Sequence, residues 1–239
     1  MIFDVPSTVN SPMWFGSFYE ISNLILFFIF FLHCLYYRGK WDTLKIFVIG
    51  AIYGVLLENS GGSIIPGISQ GYFYEQNYNF YLFEFFGIGF RISQVPLTTH
   101  LAWCFFFYIS LAFWEKITQV FPKIRNNILL GVLIFASSGL LLDLQLDIVA
   151  TRFYWWVWND SLNPIWFGVP LTNYIAWFAA IGVFGGFWVW LHTRHDDWEP
   201  KKQAKYLCFL LPVIMGVDAL VFFGIQGIFT TAGWILVPG

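Results

Sequence analysis

Acidic side chains inside apolar stretches are the residues of this sequence best suited to chemistry. Glu58, Asp143, Asp147 and Asp218 each lie in an apolar run, where a carboxylate is costly and usually faces a cavity or a partner. Asp143 and Asp147 are four residues apart, so on a helix they share one face. Like charges in a desolvated site cannot all ionise, so one carboxyl group is expected to keep a proton and to be usable as a general acid.

Simpler interpretations of these acids stay open. They lie near the ends of predicted helices, where water or the side chains of Arg91 and Arg152 would neutralise them without any chemistry. Asp218 lies deeper in its segment, and the sequence predicts either a buried hydrogen-bond partner or a member of the same cavity.

Polar and aromatic residues near the acids form the predicted substrate-binding set. Thr99, His100 and Asn173 follow two prolines at helix starts, Asp218 lies inside the last predicted span, and the aromatic members lie in two linkers between helices. Thr99 and Asn173 could hold a water or a substrate hydroxyl, but they could equally bond to neighbouring backbone. His100 could shuttle protons or could simply be a packing residue, and the aromatic rings could equally form an interfacial belt. The set consists of Tyr74, Thr99, His100, Trp155, Trp156, Trp158, Asn173 and Asp218.

The elements that position these residues are membrane helices. Of the 239 residues, 58% are hydrophobic and only 11% are charged, against about a quarter charged in a soluble domain. A spanning helix needs about 20 largely apolar residues, which predicts an all-α polytopic bundle in a single membrane domain, 1–239. The six predicted spans are 18–37, 41–60, 95–114, 127–149, 169–191 and 206–229.

The lysines and arginines predict how the bundle is oriented. Ten of the twelve fall at the first, third and fifth turns between the spans, and only Arg91 and Arg152 fall on the other side. Short cytoplasmic loops are enriched in basic residues. We therefore expect a multi-pass protein of the cell membrane with both termini on the non-cytoplasmic side.

Two motifs occur twice along the chain. GVLLE at 54–58 recurs as GLLLD at 139–143, and VPLTTHLAW at 95–103 recurs as VPLTNYIAW at 169–177. The repeat units are about 44–114 and 127–191, and each contains two crossings. Their copies therefore share a direction, which predicts a pseudo-two-fold axis along the membrane normal. The linker at 59–94 is expected to form a lid or a re-entrant segment.

Several classes of function are disfavoured by the sequence. The net charge of −2 leaves no basic excess for a nucleic-acid partner. Four scattered histidines cannot supply the ligands of a diiron centre, and the cysteines have no zinc-binding spacing. Nucleotide-binding and haem-attachment motifs are absent. We therefore predict neither a metal nor a cofactor.

The second copy of the repeat carries a family resemblance. GLLLDLQLD at 139–147, YWWVW at 154–158 and WFGVPLTNYIAW at 166–177 resemble the integral-membrane carotenoid biosynthesis protein family, which includes bisanhydrobacterioruberin hydratases and γ-carotene 1′-hydroxylases. The resemblance covers about 44–190, with little contribution from the first and last helices. Ala176 departs from the glycine expected in the family pattern.

The resemblance implies addition of water, without a cofactor, to the terminal C=C bond of an acyclic carotenoid end group. Asp143 would then be the acid and Glu58 or Asp147 the base, and the carbocation would be stabilised by Tyr74, Trp155, Trp156 and Trp158. The implied partners are a carotenoid or another long apolar polyene, and membrane lipid. The alternatives are a non-enzymatic subunit that binds carotenoid or lipid, and a proton-coupled transporter.

Overall fold

The computed structural model describes residues 13–59, 72–74, 95–158 and 164–233. Five of its helical runs are long and apolar enough to cross a membrane, which confirms the predicted all-α multi-pass bundle. The helices are α1 (Met13–Thr43), a π-helix (Leu44–Val48), α2 (Ile49–Asn59), α3 (Leu97–Val120), a 3₁₀ turn (Pro122–Ile124), α4 (Ile128–Arg152), α5 (Leu171–Arg194), α6 (Pro200–Phe209) and α7 (Leu211–Thr231).

The first apolar run folds back on itself at Gly39. The backbone there has φ +78°, a left-handed conformation that glycine adopts without strain. The ring of Phe47 lies 5.5 Å from that of Phe27 and 5.4 Å from that of Phe31. In a straight helix, residues 27 and 47 would be about 30 Å apart. The run therefore forms two limbs, as the separate spans predicted at 18–37 and 41–60 require.

The predicted span at 206–229 begins too early. The structure instead divides this region into the short α6 and the membrane helix α7, which begins at Leu211. Pro212 lies in the first turn of α7, where its missing N–H group removes no helical hydrogen bond. α6 exposes Lys201, Lys202 and Lys205, so its polar face suits the membrane surface rather than the hydrocarbon.

Helices α3 and α5 form the centre of the bundle. Their residues are mostly buried, whereas α1, α4 and α7 expose many of their apolar side chains. Trp103 of α3 stacks on Trp177 of α5, with ring centroids 4.6 Å apart, and Phe107 stacks on Phe184 at 4.2 Å. α1, α2 and α4 pack against α3, and α4 and α7 pack against α5.

Two short strand pairs occur at the helix ends, where the sequence analysis expected only linkers. β1 (Tyr72–Tyr74) is antiparallel to β2 (Trp156–Trp158), and β3 (Pro164–Trp166) pairs with β4 (Val169–Pro170). Backbone hydrogen bonds between the two predicted aromatic linkers therefore join the two predicted repeat units. Apart from Asn59 and β1, the lid predicted at 59–94 lies outside the described residues.

Basic side chains hold the opposite end of the bundle together. Arg38 of α1 donates two hydrogen bonds to the carboxylate of Glu115 on α3. The buried Lys45 Nζ lies 3.0 Å from His192 Nε2 on α5 and 2.9 Å from Gln203 Oε1 on α6. These contacts bring the first, third and fifth turns to one end of the molecule. The assignment of this end to the cytoplasm stays a prediction.

Candidate active site

Asp143 and Asp147, here called the aspartate pair, lie on one face of α4. Their exposed fractions are 0% and 2%, so both carboxyl groups are removed from solvent. The amide Nδ2 of Asn173 on α5 donates to Asp143 Oδ2 at 2.9 Å and also donates to Asp147 Oδ2. Both carboxyl groups accept from the same nitrogen atom, so they lie next to each other. One amide therefore bridges two buried acids.

A basic neutralising partner for the aspartate pair was one of the open alternatives. Within the described ranges, no lysine or arginine forms an ion pair with either aspartate. Arg152 is exposed at the end of α4, and Arg91 lies outside the described residues. The exposed position of Arg152 therefore argues against the interpretation that this arginine simply neutralises the aspartate pair.

Glu58 is the third predicted catalytic acid, and it lies in the last turn of α2. Its exposed fraction is 7%, and its Oε1 accepts a hydrogen bond of 2.9 Å from the indole Nε1 of Trp103. Glu58 is within electrostatic range of Asp147. The structure therefore brings the three acids to one buried region, although they come from two helices.

Helix α1 contributes a side chain that sequence reasoning missed. The hydroxyl of Tyr19 lies 2.9 Å from Thr99 Oγ1, and its ring lies 4.8 Å from Trp155 and 5.9 Å from Trp156. Tyr19 is within electrostatic range of Glu58 and Asp147. The next residue, Glu20, is a further buried carboxyl group. Both precede the repeated motifs, so no repeat pointed to them.

The aromatic residues of the predicted set gather beside the acids. Trp155 and Trp156 are buried with Tyr19 and with Ala150 of α4, and Trp158 packs against this group. In the β1–β2 pairing, Tyr74 is opposite Trp156. Two linkers that are distant in sequence thus meet next to the helix that carries the aspartate pair.

His100 and Asp218, two further polar residues of the predicted substrate-binding set, lie in different parts of the bundle. His100 is buried in the first turn of α3, where that turn packs against α2 at Gly54. Asp218 is buried in α7, and its electrostatic neighbour is Tyr53, whose ring stacks with those of Phe107 and Phe184. The structure does not bring Asp218 together with the aspartate pair, so it lies apart from the acid region. Its role in substrate binding stays a prediction.

Tyr174 is a second residue that the predicted set omitted. It follows Asn173 directly in α5, is 7% exposed, and is within electrostatic range of both aspartates. The signal was present in the sequence, because VPLTNY contains this tyrosine next to the asparagine.

Within the described residues, no group of three or more His, Cys, Asp or Glu side chains is arranged to hold a metal ion.

The fold and this region define a multi-pass membrane protein with a buried acidic site. The chain matches the model of the carotenoid biosynthesis protein family over residues 18–237 and belongs to that family. The match confirms the predicted resemblance and extends it beyond 44–190 to the first and last helices. No curated protein and no solved structure matches the chain. The protein accordingly has a role in carotenoid biosynthesis.

Proposed function

We propose that the protein is a carotenoid hydratase, which adds water to the terminal C=C bond of an acyclic end group and forms a tertiary alcohol. The observation that carries this proposal is the buried aspartate pair bridged by Asn173. Hydration of an isolated alkene needs an acid that can protonate carbon and a site from which bulk water is excluded. The pair satisfies both requirements without a cofactor.

The first step is proton transfer to the alkene. Before the substrate is protonated, two adjacent buried carboxyl groups do not both ionise, so the pair carries a proton, which we assign to Asp143. The positive charge of the carbocation balances the second carboxylate once that proton has moved. The π electrons of the alkene form the new C–H bond at the less substituted carbon, and a tertiary carbocation remains at the other carbon. A positioned general acid contributes about 10² to 10⁴ in rate.

The carbocation is stabilised by rings and by negative charge. Trp155 and Trp156 can present π faces to a cation, and Tyr19 holds them through ring contacts of 4.8 and 5.9 Å. Trp158 and Tyr74 are the other candidates from the same linkers. Glu58, fixed by Trp103, adds a carboxylate whose position is set before the reaction begins.

Capture by water completes the reaction. A water oxygen bonds to the cationic carbon, and the proton that it releases passes to the aspartate pair, in which Asp147 is the member ionised at the start. The pair thereby regains its original proton, and the net change is the addition of one water molecule. No electron acceptor or donor is consumed.

The membrane setting suits the substrate. A polyene is soluble in hydrocarbon, and α1, α4 and α7 expose apolar side chains along their length, so the substrate can approach from the bilayer. Burial of the acids also limits premature capture of the cation by bulk solvent.

Pigment chromatography in a lycopene-producing host tests the proposal. Expression of the chain should yield a more polar carotenoid whose mass is greater by one water molecule. Asp143→Asn should lower this product by about 100-fold. Gln145→Leu is the matched control, because Gln145 lies on the same helix but is exposed, and it should retain the wild-type yield.

Other outcomes would support the alternative functions. Pigment that copurifies with the wild-type protein but is chemically unchanged would indicate a binding subunit. Proton flux in proteoliposomes without any new pigment would indicate a transporter. Undiminished product from Asp143→Asn would remove Asp143 from the mechanism.

We further propose that the acidic end faces the non-cytoplasmic side of the cell membrane. The ten basic residues at the opposite end support this orientation. An alkaline phosphatase fused to the carboxyl terminus should be active in a bacterial host, because this reporter folds only outside the cytoplasm. An inactive fusion, together with a fluorescent cytoplasmic reporter at the same position, would contradict the orientation.

A further inference from the structure

We propose that the Tyr174 hydroxyl and Asp143 Oδ1 together hold the water molecule that attacks the carbocation. Tyr174 would then be a positioning residue, which orients the nucleophile without forming a bond to the substrate. This inference rests on the proposed hydration and deepens it, since it names the site of the second reactant.

The first observation concerns hydrogen bonding. Tyr174 and Asp143 are 7% and 0% exposed, and in the described part of the chain neither the Tyr174 hydroxyl nor Asp143 Oδ1 has a hydrogen-bond partner. A buried polar atom without a partner is costly, and the great majority of such atoms bind protein groups or ordered water. The Tyr174 hydroxyl and Asp143 Oδ1 are therefore two buried polar atoms at the aspartate pair that an ordered water molecule could satisfy.

The second observation concerns how Asn173 engages the aspartates. Its amide donates to Oδ2 of Asp143 and to Oδ2 of Asp147, which leaves Asp143 Oδ1 unengaged. We assign the acidic proton of Asp143 to Oδ1, because the N–H hydrogen bond from Asn173 favours negative charge on Oδ2. After that proton moves to the alkene, Oδ1 becomes a bare acceptor.

Tyr174 lies on the same turn of α5 as Asn173, and its phenol is within electrostatic range of both aspartates. A buried water needs two to four polar partners. Tyr174 Oη and Asp143 Oδ1 can each accept one O–H group of the same water, which leaves a lone pair of the water oxygen free for the cationic carbon. The C–O bond forms from that lone pair, and the released proton passes to the aspartate pair.

The chemistry predicts a change in product partitioning when the tyrosine hydroxyl is removed. A tertiary carbocation has two fates, capture by water to give the alcohol, or loss of a proton to give an alkene again. Tyr174→Phe removes the water's partner but leaves the acid in place. Protonation should therefore continue, while capture becomes slower relative to proton loss.

Turnover in D₂O measures both fates in one sample. Protonation in D₂O places deuterium on carbon, so the alkene that is recovered after proton loss carries deuterium, and mass spectrometry quantifies it beside the alcohol. For Tyr174→Phe we expect the ratio of alcohol to deuterated alkene to fall by about 10-fold, the rate equivalent of one hydrogen bond. Tyr53→Phe is the matched control, because Tyr53 is a buried tyrosine next to Asp218, away from the pair, and the ratio should not change.

Both products arise from the same cation, so the ratio does not depend on how much of the variant is folded. A wild-type ratio in Tyr174→Phe, at any total activity, would overturn the water site and leave the proposed hydration intact. A wild-type protein that forms neither alcohol nor deuterated alkene would overturn the proposed function, and this inference with it.

Discussion

The two repeated motifs hold their acids in different ways. Glu58 accepts a hydrogen bond from the indole of Trp103, whereas the corresponding Asp143 shares the amide of Asn173 with a second acid, Asp147. Where the second copy has Asn173, the first copy has Thr99, whose hydroxyl is paired with Tyr19 instead. Similar sequences thus produce a carboxylate that accepts from an indole in one copy and a pair of carboxyl groups bridged by an amide in the other.

The copies also meet each other. Trp103 and Trp177 occupy corresponding positions in the repeat and stack at 4.6 Å, and strands β1 and β2 join the two linkers. A pseudo-two-fold axis that passes between α3 and α5 would bring corresponding residues into contact in this way. The axis itself stays a prediction. In the proposed hydration, the first copy would supply shape and fixed charge, and the second copy would supply the acid–base chemistry.

The largest effect is expected for Asp147→Asn. The substitution keeps the size of the side chain but removes the ionisable partner of Asp143, so the pair can no longer exchange a proton. Product formation should fall by about 100-fold, measured as the initial rate of alcohol formation by chromatography. A rate equal to that of Gln145→Leu would show that the second copy does not carry the acid–base chemistry.

The next largest effect is expected on stability, when alanine replaces the glycine that begins each acidic motif and packs against a neighbouring helix. A Cβ added at Gly139 would lie 2.6 Å from Ile181 Cγ1, and one added at Gly54 would lie 2.9 Å from Trp103 Cβ. Alanine at either position should lower the free energy of unfolding by about 1–3 kcal/mol, with the larger loss at Gly139. Gly216→Ala is the control, because nothing lies near its added Cβ. Equal thermal unfolding of all three variants in detergent would contradict this packing.

A smaller effect is expected for Glu58→Gln. Glutamine retains an oxygen that can accept from Trp103 but loses the negative charge near the cation. The rate should fall by about 10-fold, which corresponds to about 1.4 kcal/mol of transition-state stabilisation. A loss as large as that of Asp147→Asn would make Glu58 the base and would erase the proposed difference between the copies.

The smallest effect is expected for Tyr19→Phe. The ring contacts with Trp155 and Trp156 remain, and the hydrogen bond to Thr99 is lost. Stability should fall by about 1 kcal/mol, and the rate should change by less than about threefold. Thermal unfolding and product assays on the same preparation would measure both, and a large rate loss with unchanged stability would instead give the Tyr19 hydroxyl a direct part in the reaction.

Much of the architecture could be predicted from local patterns. Apolar runs predicted the membrane segments, because each run must bury its own backbone hydrogen bonds in the bilayer. The span at 206–229 corresponds to α7 but began too early, since hydrophobicity alone does not register the break before Pro212. The strands were missed because segments of two or three residues carry too little pattern. After the turn at Gly39, the two limbs of the first apolar run lie side by side, and α1 packs against α3. No local signal in the sequence indicated that Tyr19 of α1 would reach Thr99 of α3.

The sequence by itself determined that this is a membrane protein of the carotenoid biosynthesis family and that Asp143 and Asp147 share a helix face, since both properties depend on composition, motif and short spacing. Only the tertiary structure decided the partners of the acids. Tyr19 and Thr99 are 80 residues apart, Glu58 and Trp103 are 45 apart, and Asp143 and Asn173 are 30 apart. Such hydrogen bonds depend on how whole helices pack, because each requires two side chains from different helices to reach the same depth on facing sides.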